Sequence, residues 1–306
     1  MSTTIKRYIR GINDGLLSLY NSSIDDERAI ELADELMTNK EVKHLFLPNN
    51  QISVEGVIAF ANALKVNTSI RSIDLSHNRI SDEGVIALTK IWLIGGDWVV
   101  LPRIVVPRNV IDQDWFWRPD LVKENLTLNR LELVQNRIAD EGAIALAHVL
   151  KIGAALHFLN LGENEITDRG VIALAESLKT NTTLNFIDLS FNNLEDKGTI
   201  ALAEALKTNT SLTSLDLGMN HITDKGAIAL AEALKTNTNL KSLYLDYTKI
   251  SDEGAIAFAE ALKINTSLEY LYIDHNKITD KGSASLKEAW KKSSSLELIE
   301  LVKTEK

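Results

Sequence analysis

Few side chains in this sequence have the spacing that catalysis requires. None of the six histidines belongs to an H-E-x-x-H pair, so the sequence predicts no zinc site. Cysteine is absent, which excludes a thiolate nucleophile and a cysteine metal site. The recurring glycines stand singly in D-x-G and no serine lies in a nucleophile-elbow motif. The pattern therefore predicts no catalytic residue, no metal site and no cofactor.

Aromatic and acidic residues instead recur every 28 positions, a combination that favours protein recognition. Aromatic side chains offer a large, rigid contact area, and carboxylates select a basic partner and accelerate the encounter. A single Asp in L-D-L-S or L-D-L-G is a common solvated residue and indicates little by itself. The predicted partner-binding residues are Phe158, Glu163, Phe186, Asp188, Phe191, Asp216, Met219, Tyr244, Asp246, Tyr247, Tyr270, Tyr272, Asp274 and His275.

The spacing comes from a repeated unit whose clearest copy covers residues 212–239, with further copies from Leu156, Leu184, Leu240 and Leu268. All share L-x-x-L-x-L-x-x-N-x-I-x-D-x-G-x-x-A-L-A, and a fixed period of this length is typical of solenoids. The first part alternates apolar and polar residues, which predicts a strand, and the second has apolar residues three and four apart, which predicts a helix.

Stacking these units predicts a curved α/β solenoid. Parallel strands stack at about 4.8 Å, whereas helices need about 10 Å, so the strands line the concave face of a horseshoe and the helices its convex face. Residues between the strand leucines point to the concave face, where we expect the partner to bind. We expect the motif asparagines, such as Asn220, to bond backbone groups of adjacent repeats, and Asn237 to end its helix in the left-handed conformation. The acid at each helix start suits the positive end of the helix dipole.

This repeat resembles leucine-rich repeats of the ribonuclease-inhibitor-like subtype, which also form the sensor arm of NOD-like receptors. The resemblance covers nearly the whole chain and implies a non-catalytic scaffold that binds another protein. Ran GTPase-activating proteins are similar in repeat subtype and length, which implies a small-GTPase regulator as the alternative. That family typically has a strongly acidic carboxyl-terminal tail, whereas this chain ends Lys303-Thr304-Glu305-Lys306.

We expect one leucine-rich repeat domain over residues 1–306, with a cap at 1–13, about ten repeats over 14–295 and a strand and tail at 296–306. An irregular stretch at 91–125 interrupts the array.

Four of the five tryptophans lie within residues 91–119 of that stretch. Leu101, Ile104 and Val106 nevertheless match the strand pattern, so we expect an altered repeat over 101–127. Three interpretations stay open: a drifted repeat with tryptophans in its core, a hydrophobic protrusion that binds a partner, and a relic of paired reading-frame shifts.

The formal net charge is −9, from 33 basic and 42 acidic residues. This sign argues against a nucleic-acid partner and favours a basic protein surface. The amino terminus lacks the apolar core of a signal peptide, and no apolar run is long enough for a bilayer, so we expect no membrane partner. We therefore expect a cytoplasmic protein, or one delivered into a host cytosol. Glycosylation motifs at Asn67, Asn125, Asn181, Asn209 and Asn265 are expected to stay unmodified.

Overall fold

The computed structural model describes residues 12, 14–92, 127–293 and 298–300, and within them short strands alternate with helices as the repeat predicts. The strands are β1 (Leu16–Ser18), β2 (His44–Phe46), β3 (Ser72–Asp74), β4 (Arg130–Glu132), β5 (Phe158–Asn160), β6 (Phe186–Asp188), β7 (Ser214–Asp216), β8 (Ser242–Tyr244), β9 (Tyr270–Tyr272) and β10 (Leu298–Glu300). The helices are α1 (Asp26–Thr38), α2 (Val54–Val66), α3 (Ser81–Thr89), α4 (Asp140–Lys151), α5 (Asp168–Leu178), α6 (Asp196–Leu206), α7 (Asp224–Leu234), α8 (Asp252–Leu262) and α9 (Asp280–Lys292), with a 3-10 turn at Lys90–Trp92.

The ten described strands form one parallel sheet in chain order from β1 to β10. Apart from β3 and β4, each strand pairs with the next in a register shifted by one repeat of 28 residues, so that Phe186, Ser214 and Ser242 are aligned. In each of these strands the middle residue is buried, while its two neighbours are half-exposed on the opposite side. The leucines and alanines of strands and helices form one continuous core between the two layers. These features confirm the predicted α/β leucine-rich repeat solenoid.

The sheet continues directly from β3 to β4, although two repeat lengths of chain separate these strands. The N–H of Leu75 donates to the carbonyl of Glu132 at 3.0 Å, and the N–H of His77 donates to Val134 at 2.8 Å. No place remains between them for the strand that we expected from residues 101–127. The three interpretations of 91–119 concern residues that, apart from 91 and 92, lie outside the described ranges, as do most of the expected cap and the tail after 300.

The motif asparagines connect neighbouring repeats, as expected. The side-chain nitrogen of Asn220 donates to the carbonyl of Leu189 in the preceding repeat at 2.9 Å, and its side-chain oxygen accepts the N–H of Leu194 at 3.0 Å. Asn220 itself is only 2% exposed. Asn220 therefore ties its repeat to the preceding one with a buried side chain, in addition to the sheet hydrogen bonds.

The expectation for Asn237 is wrong, because this residue does not have a positive φ. Its side-chain nitrogen instead donates to the carbonyl of Leu206 at 2.7 Å, one repeat earlier, and its oxygen accepts the N–H of Leu240 at 2.8 Å. Asparagine at this position therefore serves to form a hydrogen bond between repeats and does not end the helix in a left-handed conformation. The same buried arrangement holds the amides of the described glycosylation motifs, at Asn67, Asn181, Asn209 and Asn265.

Candidate functional site

The outward residues of β5 to β9, with the turn that follows each strand, form a surface that we call the strand face. The predicted binding residues lie there in four rows, each at one position of the repeat. Row one is the first strand residue, row two the third, row three lies two residues after the strand, and row four is the next residue. The predicted members are Phe158, Phe186 and Tyr270 in row one, Asp188, Asp216, Tyr244 and Tyr272 in row two, Asp246 and Asp274 in row three, and Glu163, Phe191, Met219, Tyr247 and His275 in row four.

The aromatic rings of adjacent strands stack on one another. The ring centroids of Phe158 and Phe186 are 4.2 Å apart with an angle of 1° between the planes, and those of Tyr244 and Tyr272 are 4.5 Å apart. Such stacks form because strand spacing, about 4.8 Å, is close to the distance at which rings pack. The rings therefore hold one another in place before any partner arrives.

Three row-four residues are exposed and have a left-handed backbone conformation, which residues with large side chains rarely adopt. Phe191, Met219 and Tyr247 have φ between 52° and 53° and exposed fractions of 56%, 43% and 48%. A left-handed backbone costs a residue with a side chain roughly 1–2 kcal/mol, and Asn tolerates it best. The first two repeats do have Asn21 and Asn49 at this position. Neither the core nor the turn therefore accounts for large apolar residues here.

Acidic residues of row two also bond the backbone. A side-chain oxygen of Asp188 accepts the N–H of Ser190 at 2.8 Å, and one of Asp216 accepts the N–H of Gly218 at 2.9 Å. A Cβ atom at position 218 would lie 3.3 Å from the Asp216 carboxylate and 3.0 Å from that of Asp246. Glycine at this position therefore allows two carboxylates of neighbouring repeats to approach each other.

The carboxylates of Asp188 and Asp216 form no ion pair with the basic side chains of the described residues, whereas His275 contacts the carboxylate of Asp274 at 2.5 Å. Burial, with the nearby charges of Asp188 and Asp246, raises the pKa of Asp216 to about 7. Burial also raises the pKa of Asp246, with a further contribution from Asp274. Within residues 14–92 and 127–293, no basic side chain forms an ion pair with Asp188 or Asp216. A cationic group placed beside Asp216 would favour the ionised form of its carboxyl.

Replacing Asp216 with Asn should remove a pH dependence of stability. The pKa of Asp216 rises on folding from 3.8 to about 7, so the folded state holds its proton more tightly between those values. The wild-type free energy of unfolding should therefore fall by on the order of 2 kcal/mol, from this group, as pH rises from about 4 to about 7. We expect Asp216→Asn to lack this decrease in urea unfolding measured across that range.

The matched control for this measurement is Asp74→Asn. Asp74 has the same position in β3, where it accepts the N–H of Ser76 at 2.8 Å, and its replacement leaves the carboxylates around Asp216 unchanged. An equal change of pH dependence in both variants would contradict the assignment to Asp216.

The structure adds one residue, Arg130, that the sequence reasoning did not include. Its guanidinium carbon lies 3.4 Å from the centroid of the Phe158 ring, and its Nε donates to Glu132 at 2.9 Å. Arg130, Phe158 and Phe186 thus form one continuous stack across β4, β5 and β6. Arg130 precedes Phe158 by one repeat length, and that spacing is the signal that would have identified it.

Asp216 and Asp246 lie in different rows of the strand face. Asp216 pairs in register with Tyr244, while Asp246 lies beside Gly218. No group of three or more His, Asp or Glu within the described ranges is arranged to hold a metal ion. The described helices include none with the length and apolar content needed to cross a membrane.

A protein-family model described as Leucine Rich repeat matches seven segments of the chain, at residues 66–88, 124–147, 156–175, 180–203, 208–231, 236–259 and 265–286. No curated protein matches the chain.

Several solved structures are similar in fold. Internalin C2 from Listeria monocytogenes shares 17% identity, with 92% of each chain covered and a TM-score of 0.49. Leiomodin-1 actin-binding site 2 shares 23% identity, covering 50% of this chain and 87% of its own, with a TM-score of 0.41. The tropomodulin carboxyl-terminal domain from Caenorhabditis elegans shares 14% identity, covering 49% of this chain and 92% of its own, with a TM-score of 0.40.

Proposed function

This chain belongs to the leucine-rich repeat family, and from that membership we propose that it is a non-catalytic scaffold that binds a partner protein through the strand face. The observation that carries the proposal is row four. Phe191, Met219 and Tyr247 are large, exposed and held at a positive φ, and they stand beside one another on consecutive repeats. Exposed apolar groups at one repeated position form a contiguous patch, and such patches mark interaction sites.

The partner that we propose has a basic surface where it meets the strand face. Asp188, Asp216, Asp246 and Asp274 lie in rows two and three of the strand face, and the pKa values of Asp216 and Asp246 are raised by burial and by neighbouring carboxylates. A cationic surface would relieve this repulsion on binding, whereas a nucleic-acid or anionic membrane surface would increase it.

Three further assignments belong to the same proposal. We place the repeats in the ribonuclease-inhibitor-like subtype, because each 28-residue unit combines a strand with a helix of about three turns. We propose one domain over residues 1–306. We also propose a cytosolic location, either of the producing cell or of a host; the described glycosylation motifs lie on buried asparagines, which agrees with a protein that is not glycosylated.

Affinity capture from native cells, followed by pull-down with variants, tests the scaffold. Charge reversal at Asp216, Asp246 and Asp274, together with Tyr247→Ala, should reduce recovery of specific partners at least tenfold, because it removes both the charge and an aromatic contact. Unchanged recovery would contradict binding through the strand face.

The control variant changes the other side of the molecule by the same charge. It combines Glu204→Lys, Glu232→Lys and Glu260→Lys with Ile228→Ala, on the exposed faces of α6, α7 and α8. We expect this variant to recover partners as the wild type does. The purified protein should also leave hydrolysis rates unchanged across a panel of small GTPases; an acceleration would instead support the alternative of a GTPase regulator.

A further inference from the structure

Row one of the strand face has a gap at its centre, and the following inference rests on the proposed function. Phe186 on β6 is aligned with Ser214 on β7, then Ser242 on β8, then Tyr270 on β9. Two serines therefore separate aromatic residues whose strands lie roughly 14 Å apart, three strand spacings. A serine side chain is too short to cover the face of a neighbouring ring.

The orientation of Phe186 determines what borders this gap. Its ring is stacked on Phe158 with an angle of only 1° between the planes. The planes of both rings are therefore roughly perpendicular to the direction from one strand to the next. One face of Phe186 contacts Phe158, and the opposite face must therefore point toward β7. There the aligned residue is Ser214, which is half-buried.

The other end of the same stack shows how such a ring face is covered. Arg130 on β4 lies over Phe158 on β5 at 3.4 Å, while its guanidinium bonds Glu132, two residues further along its own strand. Three elements make this arrangement: a ring on an adjacent strand, a guanidinium at row one and a carboxylate at row two of the same strand as the guanidinium.

The gap contains two of these three elements. Phe186 supplies the ring, and Asp216, two residues after Ser214, supplies the carboxylate at row two, with Asp188 on the adjacent strand. The guanidinium is the missing element. Asp216 forms no ion pair with the basic residues of the described ranges, in contrast to Glu132, which pairs with Arg130.

We propose that the partner inserts an arginine side chain into this gap, where its guanidinium stacks on Phe186 and bonds the carboxylates of Asp216 and Asp188. Arginine fits better than lysine because its planar group stacks on an aromatic face and can bond a carboxylate through two N–H groups. Arg130 shows that this surface holds a guanidinium in that way. Tyr270, which is aligned with Ser242, lies on the far side of the gap, and Tyr244 in row two of β8 forms a side-chain hydrogen bond with Ser242.

The direct test uses small probes whose chemistry is known. We would titrate the amide-labelled protein with N-acetyl-arginine methylamide and with its lysine and citrulline counterparts, and follow backbone amide resonances. The arginine probe should shift the amides of residues 186–190 and 214–218 saturably, the lysine probe should bind about fivefold more weakly, and the neutral citrulline probe should give no saturable shift. Equal binding of all three probes, or no shift at these strands, would overturn the inference.

Two variants locate the probe. Phe186→Leu should weaken the arginine probe about fivefold or more by removing the ring. Ser214→Arg should abolish its binding, because the new side chain can repeat the Arg130 arrangement and fill the gap; Ser214→Gln, which adds bulk without charge, should bind the probe measurably more tightly than Ser214→Arg. Thermal unfolding of each variant verifies that it is folded. Undiminished probe binding by folded Ser214→Arg would overturn the inference.

The outcome is separable from that of the scaffold proposal. Loss of partners in the charge-reversal variant without any arginine-probe shift would support the scaffold and overturn the arginine site. Probe binding that Phe186→Leu weakens, with undiminished partner recovery by the charge-reversal variant, would support the arginine site and contradict partner binding through the strand face.

Discussion

Asn220→Ala is expected to lower the free energy of unfolding by about 3–5 kcal/mol. The side-chain nitrogen of Asn220 lies 2.9 Å from the carbonyl oxygen of Leu189 and 3.1 Å from that of Leu217, and its oxygen accepts N–H groups of Asn192 and Leu194 at 3.2 Å and 3.0 Å. All of these groups are buried. Alanine would remove the side-chain partner of the Leu217 carbonyl and of the N–H groups of Asn192 and Leu194, whereas the Leu189 carbonyl keeps the side-chain nitrogen of Asn192 at 3.2 Å. Each unpaired buried group costs about 1–3 kcal/mol. Urea unfolding followed by circular dichroism measures the loss.

The chain contains its own comparison at Thr248, which replaces the motif asparagine in the repeat of β8. Its hydroxyl lies 3.1 Å from the carbonyl of Leu245 and 2.6 Å from the side-chain oxygen of Asn276. A threonine hydroxyl has one hydrogen to donate and is too short to reach all the partners of an asparagine amide, which has two N–H donors and a carbonyl oxygen. Asn220→Thr should therefore cost less than Asn220→Ala but remain destabilising. The reverse change, Thr248→Asn, should stabilise by about 1 kcal/mol. An unchanged free energy of unfolding in the Asn220→Ala variant would contradict this explanation.

The motif asparagines also position the strand face, since Asn220 directly follows Met219 of row four. The left-handed φ of Met219 places its side chain outward while Asn220 points inward to the backbone of the preceding repeat. We therefore infer that one turn geometry directs the motif asparagines inward and the row-four side chains outward. A partly disordered turn would move every row-four side chain relative to its neighbours on adjacent repeats.

The sequence predicts the repeat, its strand and helix, and the rows of the strand face, because each depends on a periodicity that is visible in one repeat. Leu215 between Ser214 and Asp216 is enough to assign the inward and outward sides of β7. Contacts between repeats are harder to predict from the sequence. The local rule for helix ends predicted a left-handed Asn237, but a bond to Leu206 in the preceding repeat outweighed it.

The remaining details of the site depend on distances that no pattern contains. The spacing placed Arg130 and Phe158 at one position, yet only coordinates show a guanidinium 3.4 Å from the ring centroid. Similarly, only coordinates show that a Cβ at Gly218 would lie 3.0 Å from the Asp246 carboxylate and 3.3 Å from that of Asp216. The match of Leu101, Ile104 and Val106 to the strand pattern also could not show that β3 pairs directly with β4.

The acidic residue at the start of most described helices has a second role that the dipole argument did not include. Asp224, the first residue of α7, accepts the N–H groups of Ser251 and Gly254 in the next repeat at 2.7 Å and 2.9 Å. Its other oxygen accepts the Ser251 hydroxyl at 2.6 Å. The carboxylate thus bonds the free N–H groups at the start of the following helix, and the glycine allows this close approach.

Gly254→Ala should therefore destabilise the protein by about 2–4 kcal/mol, although alanine is the better helix former by about 1 kcal/mol. A Cβ at this position would lie 2.8 Å from the Asp224 carboxylate, 2.7 Å from Cγ2 of Ile250 and 2.9 Å from Cβ of Ala227. The backbone of α8 would have to move away from α7, and the bonds to Asp224 would lengthen. Urea unfolding measures the result, and equal or greater stability of Gly254→Ala would contradict it.

Two further variants separate packing from helix propensity. Glu253→Ala changes the exposed neighbour in the same turn and should alter stability by less than about 0.5 kcal/mol. Combining Gly254→Ala with Asp224→Ala removes one of the three close contacts, so the double variant should lose less than the two single losses together, by about 1 kcal/mol. Strict additivity would show that the carboxylate does not limit the glycine. The expected coupling between the two substitutions would identify Asp-x-Gly as a contact between repeats that determines the spacing of the helices behind the strand face.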